Sequence, residues 1–263
     1  MNILVCVKRV PDMAENEIEL NAAGNDIERD DLVYSVNEWD NYAVEEAIQL
    51  KDKLGGSVTV VTVGDEDSEE VLRREMAMGA DNGVLLSDDA FAGSDGKAVA
   101  KVLKAAVDKG SYDLILTGAQ ADEGAAQVGG MLAAMLDYPY ASLVNAIEVV
   151  DDSKLKVGRE IEGGNQEMNE IELPCVLSIQ TGINEPRYVG IRGIRKVASV
   201  EIPEYSASDL GLSADEVGES AAKVKRMDYF VPEMGEGAEI LEGDTEEVAA
   251  KLAEMLKAKG GIK

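Results

Sequence analysis

The hydrophobic positions of residues 1–140 form short apolar runs that alternate with stretches of helical spacing. The apolar runs are "NILVCVKRV", "SVTVVTVG", "NGVLLSD" and "YDLILTGA". Each is short and rich in aliphatic side chains, as is typical of buried strands. Helical spacing occurs in "EWDNYAVEEAIQLKDKL", "EEVLRREMAM" and "DGKAVAKVLKAAVDK", and we expect Asn37 and Ser94 to cap the first and third of these helices. Apolar strands that alternate with helices predict a parallel sheet covered on both faces.

After Pro139 the helical spacing disappears until the C-terminal region. The runs "ASLVNAIEVV", "KLKVGREIE", "QEMNEIELP" and "CVLSIQTG" are typical of strands, and "DDS" and "GGN" are typical of hairpin turns. We interpret them as an antiparallel meander that extends the parallel sheet. Residues 1–200 would then form a nucleotide-binding α/β domain. Residues 201–263 would form a looser arm with a final helix, which packs either on a partner chain or on its own domain.

Composition removes several classes of function. A net charge of −27 should repel nucleic acid and anionic membrane surfaces. The absence of histidine excludes Ser-His-Asp and Cys-His nucleophilic sites and histidine-based metal sites. Cys6 and Cys175 lie far apart in apolar runs, so we expect two buried, reduced thiols rather than a disulfide or metal site. No apolar run reaches the ~18 residues of a membrane span and no signal pattern is present, which predicts a cytoplasmic protein.

The stretch "TGAQADEGAAQVGG", residues 117–130, follows the fourth predicted strand. In an open parallel sheet, ligands bind beyond the carboxyl ends of the strands, at the point where strand order reverses. With the first strand central, that point joins the ends of the first and fourth strands. Gly118 and Gly124 permit a close approach of the backbone to a ligand. Four residues are expected to begin the next helix and present free amides to an anion: Ala125, Ala126, Gln127 and Val128.

The stretch also has a simpler interpretation. Asp122 and Glu123 precede the predicted helix, where carboxylates cap helices themselves and repel phosphate unless they face ribose hydroxyls. No Walker lysine and no GxGxxG pattern is present. A phosphate cradle and a plain capped turn therefore both remain open from these residues alone.

Two further features have two interpretations each. Trp39 is the only tryptophan; it serves either as a core residue or as a face for a planar ring or a partner. The segment "NEPRYVGIRGIRKVASVEI" interleaves cations with apolar side chains. It is either a solvated loop or a docking loop with an apolar anchor and a charged rim.

A series of motifs carries a resemblance to a known family. In order, the motifs are "VCVKRVPD", "NEWDNYAVEEAIQLKD", "AMGAD", "GAQADEGAAQVGGMLAAMLDYP", "VGREIEGG", "LPCVLSIQTGINEPRY" and "IRGIRK". They resemble the β subunit of electron transfer flavoprotein over nearly the whole chain. The resemblance implies a Rossmann-like α/β fold of the adenine-nucleotide α-hydrolase-like kind. It also implies an electron carrier of bacterial type, without bond-making catalysis of its own.

The resemblance also implies cofactors and partners. An α subunit would hold most of one FAD, while this chain would bind AMP or, as in electron-bifurcating relatives that use NADH, a second FAD. Electrons would pass between acyl-CoA dehydrogenases and a quinone oxidoreductase. A remote alternative is a nucleotide-sensing regulatory module. The nucleotide loop is one residue shorter than the family pattern "GxQAIDxDxxQxG" and lacks its second aspartate, so AMP and FAD both remain open.

The resemblance implies a role for three groups of residues. The nucleotide would contact Cys6, Asn37, Val63, Asp122, Gly124, Ala125, Ala126, Gln127 and Val128. The flavin of the α subunit would lie near Met13 and Trp39. The docking loop would present Arg187, Tyr188, Ile191, Arg192 and Arg195 to a partner dehydrogenase, with Ile191 as its apolar anchor.

Overall fold

A nine-stranded sheet forms the centre of the computed structural model, which describes residues 1–233, 235 and 237–262. The strands are β1 (Asn2–Cys6), β2 (Arg9–Pro11), β3 (Tyr34–Val36), β4 (Ser57–Val63), β5 (Asn82–Leu86), β6 (Leu114–Gly118), β7 (Tyr140–Asp151), β8 (Lys154–Ile161), β9 (Asn165–Glu172), β10 (Cys175–Ile179) and β11 (Glu204–Tyr205). The helices are α1 (Glu38–Leu54), α2 (Glu69–Met78), α3 (Gly96–Val107), α4 (Val128–Leu136), α5 (Ile191–Val197), α6 (Gly218–Ala221) and α7 (Thr245–Ala258). Strands β2 and β3 pair separately as a two-stranded antiparallel sheet.

The strand order of the main sheet is β11-β5-β4-β1-β6-β10-β7-β8-β9. Neighbours from β11 to β7 are parallel, and β7-β8-β9 are antiparallel. Strand β1 lies between β4 and β6, so the predicted point of strand-order reversal between the first and fourth strands is confirmed. The predicted α/β class with an antiparallel extension is confirmed as well.

The arrangement of the extension differs from a simple meander. The last of its four strands, β10, lies between β6 and β7 and is parallel to both. The five residues of β10 are all buried, whereas β9 has one buried residue. Because four of the five residues of β10 are apolar, it takes an interior place in the sheet, and the more polar hairpin β8-β9 takes the edge.

Two apolar layers cover the parallel part of the sheet, one on each face. Alternate residues of a strand point to opposite faces, so Ile3 and Val5 of β1 pack in a cluster with Ile48 of α1 and Leu72 of α2. Leu4 of the same strand packs in a second cluster that includes residues of α3 and α4. Full burial of each such side chain stabilises the fold by about 1.5–3 kcal/mol.

Two helix caps differ from the sequence expectation. Asn37 occupies the position before α1, but its side chain does not cap the helix; its amide donates to the Gln120 carbonyl over 2.8 Å. Helix α3 is capped by Asp95 rather than Ser94, because the Asp95 carboxylate accepts from the Ala98 amide at 2.9 Å. The Ser94 hydroxyl instead accepts from the Gly218 amide.

The chain beyond residue 200 returns to the sheet before it extends outward. Strand β11 pairs with β5 at the sheet edge, and Val217 is fully buried. No residue of helix α7 is buried. Within the described ranges, no helix combines the length and apolar character needed to cross a membrane.

Candidate functional site

A cavity of about 560 Å³ opens at the carboxyl ends of β1, β4 and β6. Its remaining walls are the start of α3, residues 119–129, and residues 219–226 of the C-terminal region. It therefore lies where open parallel sheets bind their ligands. Of the nine residues predicted to contact a nucleotide, six line it: Cys6, Val63, Ala125, Ala126, Gln127 and Val128.

One wall of the cavity is apolar. Cys6, Val61 and Val63 supply the strand side, and Val99 and Leu103 supply the α3 side. Cys6 and Cys175 are both free and buried, as predicted. Burial, together with the nearby Asp40 carboxylate, raises the pKa of the Cys6 thiol, and burial raises that of Cys175 to about 12. The Cys6 thiol is therefore neutral and acts as a small apolar surface.

A buried carboxylate joins the two central strand ends beneath the cavity. Asp40, in the first turn of α1, accepts from the Lys8 amide at 2.8 Å and the Gly118 amide at 2.9 Å. Burial raises the pKa of Asp40 to about 7, although hydrogen bonds from Asn37 and these two amides oppose the rise. Gly118 is required here, since a Cβ at this position would stand 2.7 Å from Cβ of Trp39. The Asn37 and Asp40 side chains thus set the course of the backbone on both sides of the point of reversal.

The loop over the cavity departs from the predicted helix start. Helix α4 begins at Val128, so Ala125, Ala126 and Gln127 precede it and do not begin it. Gly124 and Ala126 both have left-handed backbone angles, with φ of 64° and 51°. A chain that passes through these conformations cannot continue a right-handed helix, which is why the helix starts later than the sequence pattern indicates.

An ionic cluster lies at the mouth of the cavity. The Lys8 ammonium contacts the carboxylates of Asp122 and Glu123, and the Arg226 guanidinium lies 3.4 Å from Glu123. Asp122 is held at this mouth and, like Gly124 and Asn37, does not line the cavity itself. Sequence reasoning placed the backbone near Lys8 at the ligand but did not identify the Lys8 and Arg226 side chains, since 114 residues separate Lys8 from Asp122.

The C-terminal region closes one side of the cavity. Besides capping α3, the Asp95 carboxylate accepts from the backbone amides of Lys223 and Val224, at 2.6 and 3.1 Å. The Glu219 amide donates to the Ala92 carbonyl. The turn-forming residues around residue 217 predicted only a loose arm. The sequence therefore did not predict that residues 219–226 line the cavity.

The residues predicted to lie near a flavin are found outside the cavity lining. Trp39 is half-buried, and its indole N–H donates to the Gln180 side-chain oxygen at 2.9 Å. Met13 is 73% exposed on the excursion between β2 and β3. Their predicted role stays a prediction.

The predicted docking loop contains a short helix, α5. Tyr188 is 92% and Ile191 68% exposed, and Arg192 and Arg195 are exposed. Arg187 differs from them, because its guanidinium donates two hydrogen bonds to the buried Glu45 carboxylate, at 2.8 and 3.0 Å. Arg187 therefore tethers the segment to α1, and residues of both α2 and α5 line a groove of about 800 Å³.

Comparison with known proteins adds to this geometry. The sequence profile described as "Electron transfer flavoprotein domain" matches residues 25–210. The chain belongs to the electron transfer flavoprotein family. The "Electron transfer flavoprotein subunit beta" of Methylophilus methylotrophus is 38% identical, over 97% of this chain and 98% of that protein. The "Caffeyl-CoA reductase-Etf complex subunit CarD" of Acetobacterium woodii is 37% identical over 98% and 99%. "Protein FixA" of Azotobacter vinelandii is 38% identical over 82% and 79%.

Membership in the electron transfer flavoprotein family confirms the resemblance carried by the motif series. It gives the chain a role in electron transfer and agrees with the observed sheet flanked by helices.

Proposed function

We propose that this chain is the β subunit of a cytoplasmic, heterodimeric electron transfer flavoprotein, and that its cavity binds AMP. The observation that carries the proposal is the cavity at the ends of β1, β4 and β6, with an apolar wall beside a mouth of paired cations and carboxylates. An apolar slot suits an adenine ring, and the polar mouth suits a ribose and a phosphate.

The residues present fit such a nucleotide. Cys6, Val63 and Leu103 offer neutral, apolar contacts to a planar base. Gln127 lines the same cavity and carries a neutral side-chain donor for a phosphate oxygen. Gly118, whose position leaves no room for a side chain, permits the close backbone approach.

The FAD of the proposed complex would be held mainly by the α subunit. When bound, that flavin supplies the one-electron chemistry. On this chain, Met13 and Trp39 would face the flavin, and residues 201–263 would pack on the α subunit. The exposed α7, with Leu252 and Leu256 on its surface, supports this packing.

The segment around α5 would dock acyl-CoA dehydrogenases, and a quinone oxidoreductase would accept the electrons. Tyr188 and Ile191 present apolar surface, and Arg192 and Arg195 form a cationic rim. Such a patch stands out on a chain with net charge −27 and suits an acidic partner surface.

A second candidate places a second FAD in the cavity of an electron-bifurcating complex that uses NADH. The specific support is the 37% identity with the subunit from the caffeyl-CoA reductase-Etf complex. Family membership favours both electron carriers over a regulatory module that uses no electrons.

Coexpression with the α subunit separates these candidates. AMP binding predicts about one flavin per heterodimer and release of AMP on denaturation. Two flavins per heterodimer, with NADH oxidation coupled to a low-potential acceptor, would establish the bifurcating alternative. A stable, flavin-free homodimer that ignores the α subunit would refute both.

A variant at Gln127 tests the cavity directly. Gln127→Glu should lower the AMP recovered from the complex, because a carboxylate beside the phosphate repels it. Gln166→Glu, on the exposed edge strand β9, is the matched control and should leave AMP content unchanged. Equal AMP content in the Gln127→Glu and wild-type proteins would show that Gln127 does not contact the phosphate.

A further inference from the structure

The ionic cluster at the cavity mouth joins three distant parts of the chain. Lys8 follows β1, Asp122 and Glu123 belong to the loop before α4, and Arg226 belongs to the C-terminal region. Arg226 also lines the cavity, as do Lys8 and Glu123. Two cations and two carboxylates therefore meet where the polar end of a bound nucleotide would lie.

Adjacent carboxylates at a phosphate site need a physical explanation. Asp122 and Glu123 alone would repel an anion, but here Lys8 bridges both of them. The side chains of the cluster are between 37% and 57% exposed. Ion pairs this accessible to water are weak, so an arriving anion can replace the carboxylates without a large penalty.

The segment that carries Arg226 is held in place independently of that ion pair. Asp95 binds the Lys223 and Val224 amides, and Gly218 packs so closely on the Ala90 carbonyl that a side chain would not fit. Arg226 is thus kept near the mouth by contacts made two and three residues earlier.

We infer that Lys8 and Arg226 are ligands of the nucleotide phosphate, and that Asp122 and Glu123 hold these two cations when no phosphate is bound. Binding would exchange carboxylate oxygens for phosphate oxygens on the same ammonium and guanidinium groups. The bound phosphate would then connect the first strand to the C-terminal region. This inference rests on the proposed nucleotide site and adds the side chains that recognise its charge.

The test compares AMP with adenosine, which lacks the phosphate, by calorimetric titration of the nucleotide-free heterodimer. Lys8→Met and Arg226→Met should each weaken AMP binding about tenfold, the loss expected for one charge-assisted hydrogen bond. Both should leave adenosine binding unchanged. Glu123→Gln should tighten AMP binding, because it removes a competitor for the two cations.

Lys104→Met is the matched control. Lys104 is also 37% exposed and also paired with a carboxylate, Asp108, but it does not line the cavity. Its loss should change the affinity for neither ligand.

The outcomes distinguish this inference from the proposed function. If the wild-type protein binds neither AMP nor adenosine, the nucleotide site itself is wrong. If it binds AMP and the Lys8 and Arg226 variants bind it equally well, the site stands and the inference is refuted. An equal loss for AMP and adenosine would indicate a structural effect and would refute it too. Weaker AMP binding by Glu123→Gln would show that this carboxylate contacts the ligand. It would refute the inference that phosphate replaces Glu123 on the two cations.

Discussion

Glu75 of α2 should make the stability of this protein decrease as the pH rises through neutrality. Its side chain is fully buried, and among the described residues neither carboxylate oxygen has a hydrogen-bond partner. Burial raises its pKa from 4.5 to about 8; nearby Arg74 opposes this rise, and Asp40 and Glu45 add to it. The folded protein therefore keeps a proton on Glu75 at pH values where the unfolded chain has lost it.

The magnitude follows from the linkage between protonation and folding. The stabilisation is complete below pH 4.5 and is lost progressively as the pH rises to about 8. At about 1.4 kcal/mol per pKa unit, this one carboxyl should lower the free energy of unfolding by roughly 3 kcal/mol between pH 5 and pH 8.

Glu75→Met tests this expectation, because methionine has a similar volume and no charge. In urea unfolding at pH 8, the variant should be more stable than wild type by roughly 3 kcal/mol, and the m values of the two proteins should agree. That advantage should shrink towards pH 5. Glu38→Met, at an exposed position of α1, controls for the loss of a surface carboxylate and should show little change with pH. A Glu75→Met variant that is less stable than wild type at pH 8, or an advantage independent of pH, would refute the reasoning.

Three further predictions concern the Arg187–Glu45 ion pair, Gly129 of α4 in the cavity lining, and the docking segment around α5. Arg187→Met should lower the free energy of unfolding by about 2 kcal/mol near pH 7, since it leaves the buried Glu45 carboxylate without its cation. In urea unfolding, this loss of stability should become smaller at acid pH, where Glu45 is protonated. A loss that does not change with pH would contradict this prediction. Gly129→Ala would place a Cβ 2.7 Å from the buried Thr117 hydroxyl. It should lower the free energy of unfolding by roughly 1–3 kcal/mol, measured as a lower melting temperature. Its control Gly130→Ala, with 3.4 Å to the nearest atom, should be neutral or stabilising, and equal behaviour of the two would contradict the packing argument. Ile191→Ala should slow flavin reduction by a partner dehydrogenase in stopped-flow measurements while flavin content stays intact, and an unchanged rate would remove α5 from the docking surface.

The hydrophobic pattern sufficed for the elements that depend on local information. Strands β1, β4, β5 and β6 are continuous apolar runs, and the helices between them have helical spacing. The central position of β1 was assumed rather than derived; it is one of the few arrangements open to parallel strands joined by helices, and the sheet has it. The place of β10 could not be read from its residues, since parallel pairing with β6 is non-local and leaves no spacing signal in the chain.

The site was predictable in location and only partly in detail. Cys6, Val63 and Gln127 line the cavity as expected, because the ends of central parallel strands meet there. The later helix start depends on the left-handed conformation of Ala126, which is uncommon for alanine. The ion pairs of the Lys8 and Arg226 side chains were not predicted, since their carboxylate partners are far away in the chain. Glu75 lies at a position where the spacing of α2 favours the core, yet its charge predicts the surface.

The interior place of β10 has a consequence for the order in which the protein is made. As the ribosome releases the chain, β1, β4, β5 and β6 emerge first, and the hairpins of β7, β8 and β9 follow. Until residues 175–179 appear, β6 and β7 both present an open edge, and each is a template for pairing with another chain. Polypeptides that stop before residue 175 should therefore aggregate. In the full-length chain, β10 inserts between β6 and β7 and covers both open edges. The strand that closes the fold is thus among the last parts of the sheet to be synthesised.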